Sequence, residues 1–176
     1  MSRRLIAIAF LAIFFVPVLP ASALLNGPFA WRWSETRDPI NDRVIHTASV
    51  ATLGFKLNGA TRIALVTVIL ACANGEPVLV FDWEEKVAGS RGLIVEYRFD
   101  GRPGRRTKAN YVRRSRQSTS DLADIRQFLA DASVSDGLYV RVQSPAFGSA
   151  EARFHARGGG ALAARFAQYC PGALGP

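Results

Sequence analysis

Two long strand-like segments separated by Asn58-Gly59 constrain the fold of this chain more than any other feature. Residues 43–57 alternate partly and are rich in Val, Ile, Thr and Phe, and residues 61–72 are nearly continuously apolar. Asn-Gly is a strong signal for a two-residue hairpin turn, because both residues tolerate positive φ. We therefore expect a β-hairpin whose second strand is central in a sheet. Residues 77–83, after another turn signal at Asn74-Gly75, extend it to a three-strand meander.

The rest of the sequence adds further strands and two helices to this meander. Strand-like patterns occupy residues 92–99, 110–114, 138–142 and 150–156. An amphipathic helix of about three turns is expected after the capping residues 118–121, and a second over residues 161–169. Residues 24–41 contain turn-forming Gly, Pro and Asn and are expected to form a loop. The pattern predicts an α+β fold, a mostly antiparallel sheet or sandwich of about seven strands with two helices.

The first 23 residues have the organisation of a secretory signal peptide. Arg3 and Arg4 form a basic head, residues 5–16 are almost purely apolar, and Ala21-Ser22-Ala23 offers small residues at the cleavage site. We expect residues 1–23 to be removed and residues 24–176 to form a single exported α+β domain, periplasmic or secreted from a bacterium. No later apolar run reaches the roughly 18 residues that indicate a transmembrane helix, so we expect no span after cleavage.

Export changes how the charges and the cysteines are interpreted. The formal net charge is +8, and the loss of Arg3 and Arg4 leaves 20 basic against 14 acidic side chains. In an exported protein this excess is not evidence for nucleic-acid binding. An isolated pair of cysteines in an oxidising compartment most often forms one disulfide. We therefore predict a Cys72–Cys170 bond, which would join the end of a central strand to the C-terminal helix.

No convincing catalytic or metal-binding motif is present in the sequence. His46 and His155 each lie alone in a predicted strand, without the paired spacing of metal ligands. There is no G-x-S-x-G nucleophile turn, and the glycine run 158–160 lacks the lysine of a phosphate-binding loop. We therefore expect no metal, no cofactor and a non-catalytic role. The alternative is a small envelope hydrolase that uses carboxylates such as Asp82 and Glu84, or His155.

The strongest local anomaly is a basic stretch between residues 98 and 116. It contains eight Arg or Lys against one acid, Asp100, with Tyr97, Phe99 and Tyr111 interleaved. One interpretation is a patch that faces an anionic partner: a cell-wall polymer, a lipid headgroup or an acidic protein. The other is a solvated hairpin whose arginines only maintain solubility. The sequence does not favour either.

If the patch is functional, the contact surface is expected to combine these cations with nearby aromatic residues. The candidates are Trp31, Trp33, Tyr97, Arg98, Arg102, Arg105, Arg106, Lys108, Tyr111, Arg113, Arg114 and Arg116. Two alternatives stay open within this set. The tryptophans can cap the core instead, which their position in the chain favours. Arg98 can instead be structural, pairing with Asp100 or with a buried carboxylate.

The order of these features resembles the periplasmic VasI-like family associated with type VI secretion. The resemblance rests on Trp33-Ser34 with Asp38-Pro39, an apolar strand ending in Cys72, the segment Val95–Asp100, and a helix ending in Cys170. Departures are the lack of a Trp-x-x-Ser after that segment and the ending Pro171-Gly172. The resemblance implies a disulfide-linked periplasmic domain with an accessory, non-catalytic role in type VI secretion.

Overall fold

The computed structural model describes residues 30–37, 42–73, 75–83, 93–112, 117–119, 122–145 and 147–173. The predicted signal peptide, residues 1–23, lies outside this part. Nine strands and two α-helices are found within the described residues. The strands are β1 (Arg32–Arg37), β2 (Val44–Leu57), β3 (Ala60–Ala73), β4 (Glu76–Trp83), β5 (Leu93–Phe99), β6 (Arg105–Val112), β7 (Gln117–Thr119), β8 (Gly137–Ser144) and β9 (Gly148–His155). The helices are α1 (Leu122–Ala132) and α2 (Gly159–Tyr169), and a 3-10 turn follows at Pro171–Ala173.

All nine described strands belong to one antiparallel sheet in the order β1-β2-β3-β4-β7-β6-β5-β8-β9. The sheet bends back on itself, because β9 also pairs with the end of β2 through Lys56↔Glu151 and Leu57↔Ala150. The prediction of a mostly antiparallel α+β fold with two helices is therefore confirmed. The structure adds a partial closure of the sheet into a barrel.

The β2–β3 hairpin forms as the Asn58-Gly59 signal predicts. Both turn residues have positive φ, 49° for Asn58 and 83° for Gly59. These values match the two-residue turn whose twist suits a hairpin. The Asn58 side chain also donates a hydrogen bond of 2.7 Å to the carbonyl of Phe147 and accepts one of 2.9 Å from the amide of Ser149. The turn is thus joined to the loop before β9, where the sheet closes.

Two short strands were not expected from the sequence. The loop predicted over residues 24–41 is wrong for Arg32–Arg37, which form β1 and pair with β2 from Arg32↔Ser49 to Arg37↔Val44. Its sequence, RWSETR, has little strand character. β2 supplies the hydrogen-bonding partner and makes these residues an edge strand. Gln117–Thr119 form β7 between β4 and β6, in the segment where we expected only a helix start.

A bulge at Gly54 changes which side chains of β2 point into the core. The register shifts between Leu53 and Phe55, and Gly54 has a φ of 96°, a conformation that side-chain-bearing residues rarely adopt. Leu53 is exposed, whereas Phe55 is buried and packs edge-on against Trp83. Strict alternation would have placed both on the same face, so the bulge turns Phe55 inward and Lys56 outward.

One hydrophobic core lies between the inner face of the sheet and the two helices. The sheet contributes alternate residues such as Val68, Val95 and Val140, each 0% exposed. Helix α1 contributes Phe128, which lies 5.0 Å from Phe99 between ring centroids, and α2 contributes Phe166. The other face of the sheet, here called the outer face, is turned away from this core.

The predicted disulfide is present. Cys72 at the end of β3 is bonded to Cys170 directly after α2, with a Cα–Cα distance of 5.8 Å. Both cysteines are buried, and the bond spans a sequence separation of 98 residues. It holds the C-terminal helix against the central strand of the first meander.

Removing the disulfide is expected to destabilise the protein strongly. A loop of this length restricts the unfolded chain by about 4–5 kcal/mol on the chain-entropy model. The Cys72→Ala/Cys170→Ala variant should therefore lose roughly that amount in urea denaturation. The matched control is the oxidised wild type with and without a reductant, since only the reduced form should approach the variant. A variant as stable as the oxidised wild type would contradict this role of the bond.

Candidate anion-binding site

Strand geometry divides the basic stretch into two groups with different surroundings. Along β5, Tyr97 is buried whereas Arg98 is exposed, because successive side chains point to opposite faces. The same alternation along β6 places Arg106 on the outer face and Arg105 on the inner side, next to α1. The sequence cannot separate these groups, because it shows only that the cations are neighbours along the chain.

The inner group is held by one buried carboxylate. Asp131, whose side chain is 6% exposed, lies 3.6 Å from Arg105 and 4.0 Å from Arg102 between oxygen and nitrogen atoms. It also accepts a hydrogen bond of 3.1 Å from Gln127. Asp131 is in the last turn of α1, where the helix dipole disfavours a negative charge. The two arginines offset this charge and attach the β5–β6 turn to the helix, so their role is structural.

The outer arginines, together with part of Arg105 from the inner group, line a shallow cleft. The cleft has a volume of about 530 Å³ and is lined by Glu96, Tyr97, Arg98, Gly104, Arg105, Arg106, Tyr139 and Arg141. We call it the arginine cleft. Arg98 lies beside Tyr139 in the sheet register, and Tyr139 lies beside Arg153 on β9. The outer face of β5, β8 and β9 therefore carries a row of two arginines around one tyrosine.

A second row of side chains on the outer face alternates in charge. The register aligns Arg106, Glu96, Arg141, Glu151 and Lys56 across five strands. Arg141 is the best compensated, with Nε 2.8 Å from Glu151 and Nη1 3.4 Å from Glu96. Arg106 is only 3.9 Å from Glu96 and is 64% exposed. We call these five residues the charge row.

The ion pairs on the outer face show which arginines remain available to a partner. Arg141 is engaged by two carboxylates, and Arg153 lies 3.8 Å from Asp100. Among the described residues, no acidic side chain lies within ion-pair distance of Arg98. Asp100 pairs with Arg153 instead, so within the described residues the alternative that Arg98 pairs with Asp100 or a buried carboxylate gains no support. An incoming anion would meet Arg98 and Arg106 first.

Tyr139 and Glu151 form a polar pair at the centre of the outer face. Tyr139 accepts a hydrogen bond of 3.3 Å from Arg141 and shares one with Glu151. The hydrogen bond from Tyr139, together with the nearby Arg141 guanidinium, lowers the pKa of Glu151 below its usual value. Burial, together with the bond to Glu151, raises the pKa of Tyr139. Glu151 is therefore held ionised and Tyr139 neutral.

The prediction of an aromatic contact surface is wrong for Trp31 and Tyr97, whose rings are buried. Trp31 and Tyr97 are 0% and 1% exposed, and both rings pack against Phe128 in the core. Trp33 lies opposite the buried Ala48, which places it on the inner face. The tryptophans thus cap the core, which is the alternative that their position favoured. Of the two tyrosines that line the arginine cleft, Tyr97 turns its ring into the core, and Tyr139 lies on the outer face.

Trp33 belongs to a stacked cluster near the disulfide. Its ring stacks on His46 at 5.8 Å, and the Arg165 guanidinium carbon lies 5.8 Å from the ring centroid. His46 in turn stacks on Tyr169 at 4.2 Å. These contacts are all within the protein, so the cluster fastens the end of α2 to β1 and β2.

The remaining candidates lie in β6 or outside the described residues. Lys108 and Tyr111 lie in β6, while Arg113, Arg114 and Arg116 lie outside the described residues. The outer face also carries Arg141, Arg153 and Glu151, which the sequence analysis did not select. Alternation around the buried Val140 could have placed Arg141 on the outer face. Its acidic neighbours follow only from the strand order.

The hydrolase alternative gains no support from the described residues. Asp82 lies on β4 and His155 on β9, strands that are not neighbours, and neither lines the arginine cleft. Glu84 lies outside the described residues. No group of three or more His, Cys, Asp or Glu side chains suited to a metal occurs in the described part. No helix there is long and apolar enough to cross a membrane.

Comparisons with known proteins give no relative for this chain. No protein-family model, no curated protein and no solved structure matches it. The resemblance to the VasI-like family therefore stays a prediction. The candidate site is defined by its own geometry.

The Glu151 network is expected to make stability fall in acid. Because its folded-state pKa is lowered, Glu151 stabilises the fold above its usual value of 4.5, and this contribution is lost as the pH falls through the lowered pKa. Glu151→Gln should therefore cost about 0.5–1.5 kcal/mol at pH 7 and less at about pH 3, because part of this contribution is lost below the usual pKa. Urea denaturation at both pH values measures the difference. Glu76→Gln, at an exposed strand end, is the control. A cost for Glu151→Gln that is equal at both pH values would contradict the network.

Asp131 is expected to matter for stability and not for surface binding. Asp131→Asn keeps an acceptor for Gln127 but removes the charge that balances Arg102 and Arg105. Because both arginines are partly exposed, we expect a loss of about 1–2 kcal/mol. Thermal unfolding at low and high salt measures it. Asp136→Asn in the following turn is the matched control. No loss beyond the control would show that these ion pairs contribute nothing.

Proposed function

We propose that the protein is an exported, non-catalytic binding module that contacts an anionic protein or envelope component through its outer face. The exposed position of Arg98 beside Arg106 in the arginine cleft is the observation that carries this proposal. A carboxylate or phosphate in the cleft would receive two guanidinium groups, each able to donate paired hydrogen bonds. The rings of Trp31 and Tyr97 are buried in the core, so they do not contribute to this contact.

The charge row supports the proposal by fixing the position of the cleft. Arg141 is clamped between Glu96 and Glu151, so the floor of the cleft is ordered before any partner arrives. An ordered surface loses less side-chain entropy on binding than a mobile one. The same carboxylates keep the local charge moderate, which favours a partner with spaced anionic groups.

Location outside the cytoplasm is part of the same proposal. The sequence of residues 1–23 supports export, and the buried disulfide is compatible with an oxidising compartment. A role as a type VI secretion accessory protein is a narrower form of this proposal, and it rests only on the resemblance to the VasI-like family. Genes encoding secretion components next to this one would support that narrower form.

Charge reversal at the cleft is expected to abolish partner binding. Arg98→Glu/Arg106→Glu replaces the two available cations by anions, so capture of partners from an envelope extract should fall at least about tenfold. Binding to immobilised polyglutamate, a defined carboxylate polymer, should fall with it. Wild-type binding should weaken at about 0.5 M salt, because the charges are screened over a few ångströms there.

The control must carry the same change in net charge. Arg32→Glu/Arg157→Glu alters two exposed arginines that do not line the cleft. It should bind nearly as well as the wild type, and both variants should keep the thermal stability of the wild type within a few degrees. Equal loss in the two variants would mean that only net charge matters. Unchanged binding in the cleft variant would overturn the proposal.

A further inference from the structure

Three aliphatic side chains are exposed together on the outer face of the β2–β3 hairpin. Leu53 is 72% exposed, Ile63 84% and Leu65 39%. Leu53 and Leu65 are direct cross-strand partners, and Ile63 follows on the same face of β3. Single exposed aliphatic residues are ordinary on protein surfaces, but a contiguous group of three indicates a contact site. We call these three residues the hairpin patch.

The aliphatic residues are concentrated near the turn of the hairpin. Farther from the turn the outer pairs are Ala51↔Thr67 and Ser49↔Ile69, each of which includes a hydroxyl. The Gly54 bulge separates Leu53 from the inward-facing Phe55 and so keeps Leu53 on the outer face. The patch is therefore a local feature of the hairpin end and not an extension of the core.

The surroundings of the patch are positively charged. Between Leu53 and Leu65 the chain carries Lys56 and Arg62, both exposed, and no acidic residue. Lys56 projects from the outer face, whereas Arg62 lies opposite Phe55 in the register and projects from the other face of the hairpin. Arg153 joins Leu53 and Lys56 along a crevice of about 540 Å³ at the seam between β2 and β9. Glu151, the acid in this crevice, is already bonded to Arg141. The hairpin end thus presents aliphatic side chains with cations around them.

This combination matches a lipid surface better than a protein partner. Protein interfaces obtain most of their binding energy from buried Trp, Tyr and Arg anchors, with Leu under-represented. The hairpin patch is purely aliphatic and contains no aromatic anchor. Shallow insertion of aliphatic side chains, combined with basic residues that attract anionic headgroups, is how peripheral proteins bind bilayers.

We propose that the end of the β2–β3 hairpin docks on the surface of an anionic lipid bilayer. Leu53, Ile63 and Leu65 enter the boundary between headgroups and acyl chains. Lys56, from the outer face, and Arg62, from the opposite face of the hairpin end, contact the phosphates. This surface uses side chains other than those of the arginine cleft, so the proposal does not depend on the partner of that cleft.

Vesicle sedimentation tests the proposal directly. The wild type and every variant are purified in the same way from the cells that express them, so that all have the same N-terminus. The wild type should bind vesicles of equal parts phosphatidylglycerol and phosphatidylcholine, and bind pure phosphatidylcholine at least about tenfold more weakly. Leu53→Ser/Ile63→Ser should lower binding to the anionic vesicles at least about tenfold, because two inserted aliphatic groups are lost.

Two controls distinguish the hairpin patch from exposed apolar residues in general and from the arginine cleft. Val134→Ser changes a valine that is 61% exposed in the loop before β8, and it should bind vesicles like the wild type. Arg98→Glu/Arg106→Glu should lose no more vesicle binding than Arg32→Glu/Arg157→Glu. If charge reversal in the arginine cleft leaves envelope binding unchanged, the membrane proposal is therefore unaffected. If the hairpin patch binds no vesicles, the proposal for the arginine cleft is likewise unaffected.

The outcomes that overturn the proposal are specific. The proposal fails if the folded Leu53→Ser/Ile63→Ser variant binds anionic vesicles as tightly as the wild type. It also fails if the wild type binds no anionic vesicles. If the wild type then sediments as a dimer that this variant converts to a monomer, the patch is an interface between two copies of the chain. Circular dichroism and thermal unfolding confirm that each variant is folded.

Discussion

The structure depends on β2, because this single strand pairs with three others. The bulge within it also changes which of its alternate residues face the core. Its first half pairs with β1, nearly its whole length pairs with β3, and its last two residues pair with β9. The Gly54 bulge makes this possible, since it bends the strand and turns Phe55 into the core. The same bulge directs Lys56 outward, where it meets Glu151 and ends the charge row.

Local features of the fold could be predicted from the sequence because they depend on neighbouring residues. Asn58-Gly59 predicts the hairpin turn through backbone conformation alone, and the spacing of Ile125, Phe128 and Leu129 predicts the buried side of α1. The disulfide was predictable for another reason, since two cysteines have a single possible pairing and the sequence of residues 1–23 predicts export. None of these inferences requires knowledge of the strand order.

Features that depend on distant pairing could not be predicted in the same way. β1 is a polar segment that becomes a strand only because the edge of β2 is available. The contrast between Arg105 and Arg106 has the same origin, since one side chain meets Asp131 from α1 while the other stays on the outer face. The charge row likewise requires β5, β8 and β9 to be adjacent, and the sequence does not show this.

The basic composition therefore overstates the charge that a partner can use. Arg102 and Arg105 balance a carboxylate in the last turn of a helix, and Arg141 is enclosed by two more. Each of these arginines stabilises the fold, and its interaction with solvent anions is correspondingly weakened. Guanidinium groups are suited to this structural role, because their fixed N–H donors can hydrogen-bond to two carboxylates at once. Counting cations in the chain would not have distinguished these roles.

The arginine cleft and the hairpin patch meet at the middle of the outer face. Tyr139 lines both the cleft and the crevice that contains Leu53, and Glu151 joins Arg141 on one side to Lys56 on the other. If the patch rests on a bilayer, Arg98 stays exposed to a partner, because β9 and β8 separate β5 from β2. The protein would then meet a partner anchored in the same membrane by diffusion within the plane of that membrane. Weak binding at each surface would suffice, because attachment through one raises the effective concentration at the other.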